Sequence, residues 1–273
     1  MTVWLNGKLV EEDAARVSVF DHGLTVGDGV FETLKVVDGR PFALTRHLAR
    51  LTASARGLGL PAPDTDEARR ACAAVLDAHP LALGRLRITL TGGLSPLGSD
   101  RGAADTTLLV AAAPIEPRPP ATAAVTVPWT RNERGALTGL KSTSYAENVV
   151  ALARAKEQGA TEALLANTTG ALCEGTASNV FVVVDGELHT PSLASGCLPG
   201  ITRALVVEWT GARETDLPMD ALDRADEIFL TSSLRDVQAL HTLDDRQLPG
   251  APGPVTAEAM RIFAERSAAD TDP

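Results

Sequence analysis

Near the middle of this 273-residue chain, the stretch Pro114-Ile-Glu-Pro-Arg-Pro-Pro120 places four prolines within seven residues. Proline has no backbone N–H and a fixed φ, so the segment can neither continue a helix nor sit inside a sheet, and it stiffens any connection it makes. The chain is therefore read as an N-terminal domain over 1–113, a linker over 114–120 and a larger domain over 121–273. With 44% hydrophobic residues, both parts can bury a core. Before the linker, strand-like runs fall at 3–10, 30–37, 85–91 and 107–112, the first as a hairpin around Asn6-Gly7. Between them, Leu44, Leu48, Leu51, Ala55 and Leu58 form a helical stripe over 45–58, with Thr45 as its cap. After the linker, strands alternate with helices at 146–158, 201–211 and 218–224. The fold class expected is two α+β domains with the active site between them. No internal repeat is visible, and the acidic tail past 266 is expected to fray.

Charge and composition narrow the function. A formal net charge of -10, without a long basic run, argues against binding a nucleic-acid backbone. No apolar stretch approaches membrane-spanning length, and the start reads as a hairpin instead of a signal peptide. Cys72, Cys173 and Cys197 are too few and scattered for a disulfide framework, which suits a reduced, cytoplasmic enzyme. The histidines show no metal spacing, so no metal site is expected. Gly23, Gly27 and Gly29 hint at a nucleotide loop, but a strand and an Asp38-Gly39 turn follow where a dinucleotide site needs a helix. No G-x-S-x-G elbow occurs.

Lys141 stands in a segment with few other charges, ahead of an amphipathic helix. Burial lowers a lysine's pKa and frees the amine to act as nucleophile or base, or to form an imine with an aldehyde. About thirty residues on, Glu174 precedes the small residues Gly175, Thr176 and Ala177 and then a strand, leaving room for a flat ring. An amine for an aldehyde and a carboxylate for a pyridine nitrogen are the two groups that pyridoxal phosphate requires. The part after the linker is thus the cofactor-binding domain. Separately, Gly200-Ile201-Thr202 opens a helix after a proline, where free amides and the helix dipole can hold an anion. A plain helix cap would use the same residues.

Three separated segments, Lys141-Ser-Thr-Ser-Tyr145, Glu174-Gly-Thr-Ala-Ser-Asn179 and Leu198-Pro-Gly-Ile-Thr-Arg203, resemble the class IV (fold-type IV) pyridoxal-phosphate aminotransferases. That family includes branched-chain and D-amino-acid aminotransferases and 4-amino-4-deoxychorismate lyase. The resemblance implies that Tyr145 binds the cofactor's phenolic oxygen, and that Arg46, Ser232 and Ser233 join Gly200, Ile201 and Thr202 at its phosphate. It further implies a homodimer acting on a small amino substrate. In the Phe31-Glu-Thr33 segment, a threonine at position 33 is the lyase pattern. Its hydroxyl would move a proton toward the departing pyruvate, though threonine also simply suits a strand. The Arg-Gly often found after the fourth strand is Gly92-Gly93 here. Arg87 or Arg101 would then bind the substrate carboxylate, beside Phe31, unless both are surface charges. The activity expected is an aminodeoxychorismate lyase, with a branched-chain or D-amino-acid aminotransferase as the alternative. A scaffold on a retired enzyme fold would not need Lys141, Tyr145 and Glu174 together.

Overall fold

Asn6 and Gly7 both take left-handed backbone conformations (φ 45° and 85°), which turn the chain between β1 (Thr2–Leu5) and β2 (Lys8–Glu11) with Leu5 facing Lys8. The structure, a computed structural model, describes residues 1–103 and 105–273. It divides into two units. The first comprises Met1–Pro117, Leu140–Tyr145 and Thr271–Pro273, and the second Arg118–Gly139 and Ala146–Asp270. The first unit breaks off at Pro117, within the proline-rich stretch. It also takes in two later segments that no feature of composition marks.

In the first unit, a short helix α1 (His22–Thr25) leads to β3 (Gly29–Val37), β4 (Arg40–Pro41), α2 (Leu44–Gly57), α3 (Thr65–Ala78), β5 (Leu83–Thr91) and β6 (Thr107–Pro114). The six strands form one antiparallel sheet in the order β2-β1-β6-β5-β3-β4. Successive side chains on a strand point to opposite faces. Val30, Leu34 and Val36 of β3, Leu86, Ile88 and Leu90 of β5, and Leu108 and Val110 of β6 pack on one face. They meet Leu48, Leu51 and Ala55 of α2 and Ala68, Ala71, Cys72 and Val75 of α3. The helix α3 was hidden in the sequence by its alanine-rich stripe. Asp64 caps it, accepting from the N–H groups of Asp66 (2.9 Å) and Glu67 (3.0 Å).

Two expectations are corrected here. Thr45 does not cap α2: the helix opens at Leu44 after Ala43 in a left-handed conformation, with no side-chain cap. The tail does not fray either. A last helix, residues 254–269, leads into Thr271, whose carbonyl accepts from the Ala43 N–H at 2.7 Å, and Asp272, which accepts from both the N–H (2.7 Å) and the hydroxyl of Thr45. The chain terminus thus supplies the acceptors that the start of α2 lacks.

The second unit contains β7 (Ala121–Arg131), α4 (Ala146–Glu157), β8 (Glu162–Asn167), β9 (Leu172–Gly175), β10 (Asn179–Val184) and β11 (Glu187–Pro191). There follow α5 (Ile201–Thr210), β12 (Arg213–Thr215), α6 (Ala221–Arg224), β13 (Glu227–Ser232), β14 (Asp236–Leu243), β15 (Arg246–Gln247) and α7 (Pro254–Ala269). Its mixed sheet runs β12-β11-β10-β13-β14-β7-β8-β9, with β15 on β14 and parallel pairing of β7 with both β14 and β8. One core joins Leu164, Leu172, Val180, Val182, Ile228 and Leu230 to Leu217 and Leu222. Another packs Ala151 and Ala155 of α4 on Val125, Ala163 and Leu165. No helix among the described residues is long and apolar enough to cross a membrane.

Replacing Asp272 with alanine should destabilise the protein by about 1 kcal/mol, the usual worth of a helix-start acceptor. Thermal unfolding measures it, and an unshifted midpoint would mean that the tail does not hold α2.

Candidate active site

Lys141 reaches its position through backbone pairing. The Phe31 N–H donates to the Lys141 carbonyl (3.0 Å), the Thr143 N–H donates to the Gly29 carbonyl (2.8 Å), and Ser142 bridges Val30 antiparallel. Residues 141–143 thus extend the sheet along the start of β3. The Lys141 N–H is satisfied by Ser54 Oγ at 3.1 Å. The ammonium Nζ then stands 4.3 Å from the centroid of the Phe31 ring and donates to the Tyr145 hydroxyl at 3.4 Å. Phe31 and Tyr145 meet edge to face, centroids 5.1 Å apart at 76°. On the same ring lies Arg87, its Cζ 3.7 Å from the centroid. Arg87 is the register partner of Thr33, so both side chains leave the sheet on the Phe31 face. Aromatic faces attract both cations.

Behind this face is a charge cluster that the sequence reading missed. Glu32 occupies an interior position of β3 and is fully buried. Arg50 grips it with Nε and a terminal nitrogen at 2.8 and 2.6 Å, and His47 Nδ1 lies 2.6 Å from the same carboxylate. Burial works against the carboxylate's charge, but Arg50 and His47 outweigh it and hold the Glu32 pKa at about 2. Burial pushes the His47 pKa down, against the pull of Glu32, and Lys141 adds to the lowering. His47 is therefore neutral, with its proton on Nδ1 facing the carboxylate. A charged residue in the inward phase of an apolar strand was the available signal.

The second unit holds the other candidate groups. Glu174 lies at the end of β9, 8% exposed. Its Oε1 accepts from Arg131 Nε (3.1 Å) and its Oε2 from the Leu198 N–H (2.9 Å). Arg131 also donates to Asn148 Oδ1 at 3.1 Å, and the Asn148 amide donates to the Thr176 carbonyl. The turn after Glu174 is pinned by Glu162, 0% exposed, which accepts from Ser178 Oγ (2.8 Å), the Thr176 N–H (2.9 Å) and the Thr176 hydroxyl. A Cβ on Gly175 would come within 2.5 Å of Ser178 Oγ, so only glycine fits.

The segment from Leu198 to Gly200 is fastened at both ends. Glu174 takes the Leu198 N–H, and Asn179 donates to the Leu198 carbonyl at 2.9 Å. Gly200 opens α5 without a side-chain cap, and a Cβ there would fall 2.0 Å from Asn179 Oδ1. The first N–H groups of Ile201 and Thr202 are thus turned out of the helix start, where an anion is favoured. Thr202 is buried. Ser232 and Ser233 follow at the end of β13, with Ser232 Oγ accepting from the Arg235 N–H at 3.3 Å.

Two expected arginines stand differently. Arg101 is occupied: it grips Asp28 at 2.7 and 2.6 Å and donates to the carbonyls of Gly59 (2.8 Å) and Leu58 (2.6 Å). It is a structural clamp and leaves little for a substrate carboxylate. Arg46 Nε donates to the carbonyl of Pro273 at 2.8 Å. The arginine that joins the buried cluster is Arg50, one helical turn later.

Residues 29–242 match the family model described as amino-transferase class IV. D-alanine aminotransferase of Bacillus licheniformis is 31% identical over 280 residues, covering 99% of both chains. A bifunctional aminodeoxychorismate lyase / D-amino acid transaminase of Mycobacterium tuberculosis is 31% identical over 297 residues, covering 97% of this chain and 96% of its own. Among solved structures, the Escherichia coli branched-chain amino acid aminotransferase superposes with a TM-score of 0.91 at 28% identity, over 97% of this chain and 93% of the other.

Acid should weaken the buried cluster in two stages. His47, depressed below its ordinary 6.5, destabilises the fold as pH falls below 6.5, because the unfolded chain takes up the proton first. Glu32 contributes on the order of 3 kcal/mol above its ordinary 4.5, lost as pH drops toward about 2. Urea unfolding between pH 7 and 3 should show both stages. Glu32→Gln should lower stability at pH 7 and flatten the fall below pH 4.5; an unchanged slope would mean that the carboxylate is not held ionised.

Proposed function

The chain belongs to the class IV aminotransferases, and on that premise we propose that it moves the amino group of an α-amino acid, of the branched-chain or D-amino-acid kind, to a 2-oxo acid. Enzymes of this family use pyridoxal 5'-phosphate, which when bound supplies an aldehyde for the amine and an electron sink for the carbanion. Each unit carries groups of the kinds that this cofactor takes. Lys141 offers a primary amine beside the Tyr145 hydroxyl, Glu174 a carboxylate locked by Arg131 and the Leu198 amide, and α5 an uncapped start. In this reading, Glu174 faces the ring nitrogen, Tyr145 the phenolic oxygen, and Ile201, Thr202, Ser232 and Ser233 the phosphate. With the cofactor bound, Lys141 would be the group that takes the substrate's α-proton and gives it back, a general base and then a general acid.

The observation that carries the substrate assignment is Arg87. Among the described residues its terminal nitrogens have no hydrogen-bond or carboxylate partner, and its one side-chain bond is from Nε to Thr89 Oγ1 at 3.3 Å. An arginine stacked on the ring that also holds the reactive lysine is a prepared bidentate donor for a carboxylate. Lost hydration lowers its pKa, against the effect of Tyr145, yet an arginine stays cationic.

The lyase expected from Thr33 becomes the second reading. It is favoured by Thr33 lying opposite Arg87 on the Phe31 face, where a hydroxyl could deliver a proton. The aminotransferase reading draws on more of the relatives, and Arg87 serves it directly. A homodimer forms part of the proposal. Val19, Phe20, Leu24 and Leu97 are 69%, 50%, 68% and 75% exposed in the first unit, apolar side chains that a second copy of the chain would cover.

Purified protein should transfer amino groups only when a 2-oxo acid acceptor is supplied. Acceptor-free release of pyruvate from aminodeoxychorismate, with no transfer from ordinary amino acids, would establish the second reading instead. Borohydride reduction followed by peptide mapping should tag Lys141, and Lys141→Ala should abolish both tag and turnover. Arg87→Met should raise the KM for amino acids about 10- to 100-fold, the worth of a charge-assisted pair. Light scattering should give twice the chain mass, and a monomer that is fully active would remove the dimer from the proposal.

A further inference from the structure

His22 opens α1 and is 2% exposed, and both nitrogens of its ring face acceptors. Nδ1 lies 2.8 Å from Asp28 Oδ2, and Nε2 lies 2.9 Å from the Gly98 carbonyl oxygen. A neutral imidazole carries one N–H and can serve only one of them, so this arrangement takes the doubly protonated ring. Asp28 is the ionised partner: Arg101 beside it outweighs burial and holds its carboxyl below the usual carboxylate range. The hydrogen bond to Asp28, followed by that to the Gly98 carbonyl, pushes the His22 pKa up, against burial and the charge of Arg101.

On one side of this ring is the loop that follows β5. Its ends are fastened independently: the Ser95 N–H donates to the Phe20 carbonyl (3.1 Å), the Gly102 N–H to Ser95 Oγ (3.1 Å), and Leu94 bridges Asp21. Residues 96–100 between them are exposed, and among the described residues their one hydrogen bond is that of the Gly98 carbonyl with His22. On the other side is the connection 26–28 between α1 and β3. There the Gly27 carbonyl accepts from the hydroxyls of Thr143 (2.8 Å) and Ser144 (3.2 Å), just past Lys141. Asp28 is held by its own backbone as well, its carbonyl accepting from the Gly92 N–H at 2.9 Å. A Cβ on Gly92 would fall 2.6 Å from Asp28 Oδ2, so the carboxylate's place depends on that glycine.

We propose that doubly protonated His22 is a positioning residue, a pH-sensitive latch that ties loop 96–100 to the connection holding the Lys141 segment. Its importance to catalysis rests on the reading of Lys141 as the reacting amine. When rising pH removes one proton, the Nδ1–H stays with the carboxylate, because that bond is charge-assisted, and Nε2 turns a lone pair toward the Gly98 oxygen. Two acceptors repel, so residues 96–100 come away, and Asp28 keeps only the Arg101 cation. The Gly27 carbonyl, one peptide before Asp28, then holds Thr143 and Ser144 less firmly. Other carboxylates nearby do not compensate: Asp21 accepts from the Gly23 N–H and the Thr91 and Thr107 hydroxyls, and Asp100 and Asp105 are exposed. The stabilisation from His22 is complete below the ordinary 6.5 and is lost as pH climbs through the raised folded value.

Amide hydrogen exchange of the holoenzyme, with the His22 ring followed by nitrogen NMR, tests the latch without turnover. Protection factors at Ser95 and Gly102, the loop's ends, and at Thr143 and Tyr145 should fall together, about tenfold, as the ring loses its proton above pH 6.5. His22→Gln, with one donor and one acceptor at every pH, should show the low values throughout. His22→Arg, always cationic and able to donate to both partners, should keep the high ones. Asp28→Asn should move the His22 titration down by about one pH unit, and the exchange transition with it. A ring that titrates at or below 6.5, a transition unmoved by Asp28→Asn, or amides at Ser95 and Thr143 that ignore the titration would overturn the latch. If Lys141 instead fails to take the borohydride tag, the reading of the reacting amine falls while the exchange result stands.

Discussion

A strand extension of three residues governs the chemistry of the first unit. Residues 141–143 pair with the start of β3 through Phe31 to Lys141 and Thr143 to Gly29, and this brings the lysine amine onto the Phe31 ring. Two backbone hydrogen bonds fix a main-chain segment far better than a flexible four-carbon stem could place itself. Every other side chain on that face is then set by the register of β3 and β5. Thr33 faces Arg87 and Lys35 faces Arg85, in a register where a one-residue slip would turn Val30, Leu34 and Val36 outward.

The same strand carries opposite demands on its two sides. Outward, it presents an aromatic ring to two cations. Inward, it buries a carboxylate that must be neutralised, and Arg50 with neutral His47 do so from α2. A buried charge is tolerated only with such partners. The cluster holds α2 to the strand that bears Phe31, so rigidity at the ring is coupled to ion pairing beneath it. In the second unit, Glu162 plays a comparable part: it satisfies the turn following Glu174 and never faces solvent itself.

Glu174 shows how a buried carboxylate is given one orientation. Arg131 holds one oxygen and the Leu198 amide holds the other, while Asn179 ties down the Leu198 carbonyl. The carboxylate and the opening of α5 are therefore parts of one hydrogen-bonded assembly. Moving either would cost the bonds of both, which is a requirement for a preorganised site.

The motifs around Lys141, Tyr145, Glu174 and Gly200 were legible from the chain because their residue types and order are themselves chemical information. So were the Asn6-Gly7 turn and the strands with a period of two. What only the tertiary structure decided was the use of ambiguous residues. Arg46, Arg87 and Arg101 look alike in sequence, yet one reaches the terminal carbonyl, one stacks on an aromatic ring and one is consumed by Asp28. Thr45, a plausible cap, instead receives the tail. An arginine's role depends on which acceptors lie within reach of its guanidinium, and those acceptors come from segments distant in the chain. Local patterns set the elements, whereas long-range pairing sets which charges remain available to a substrate.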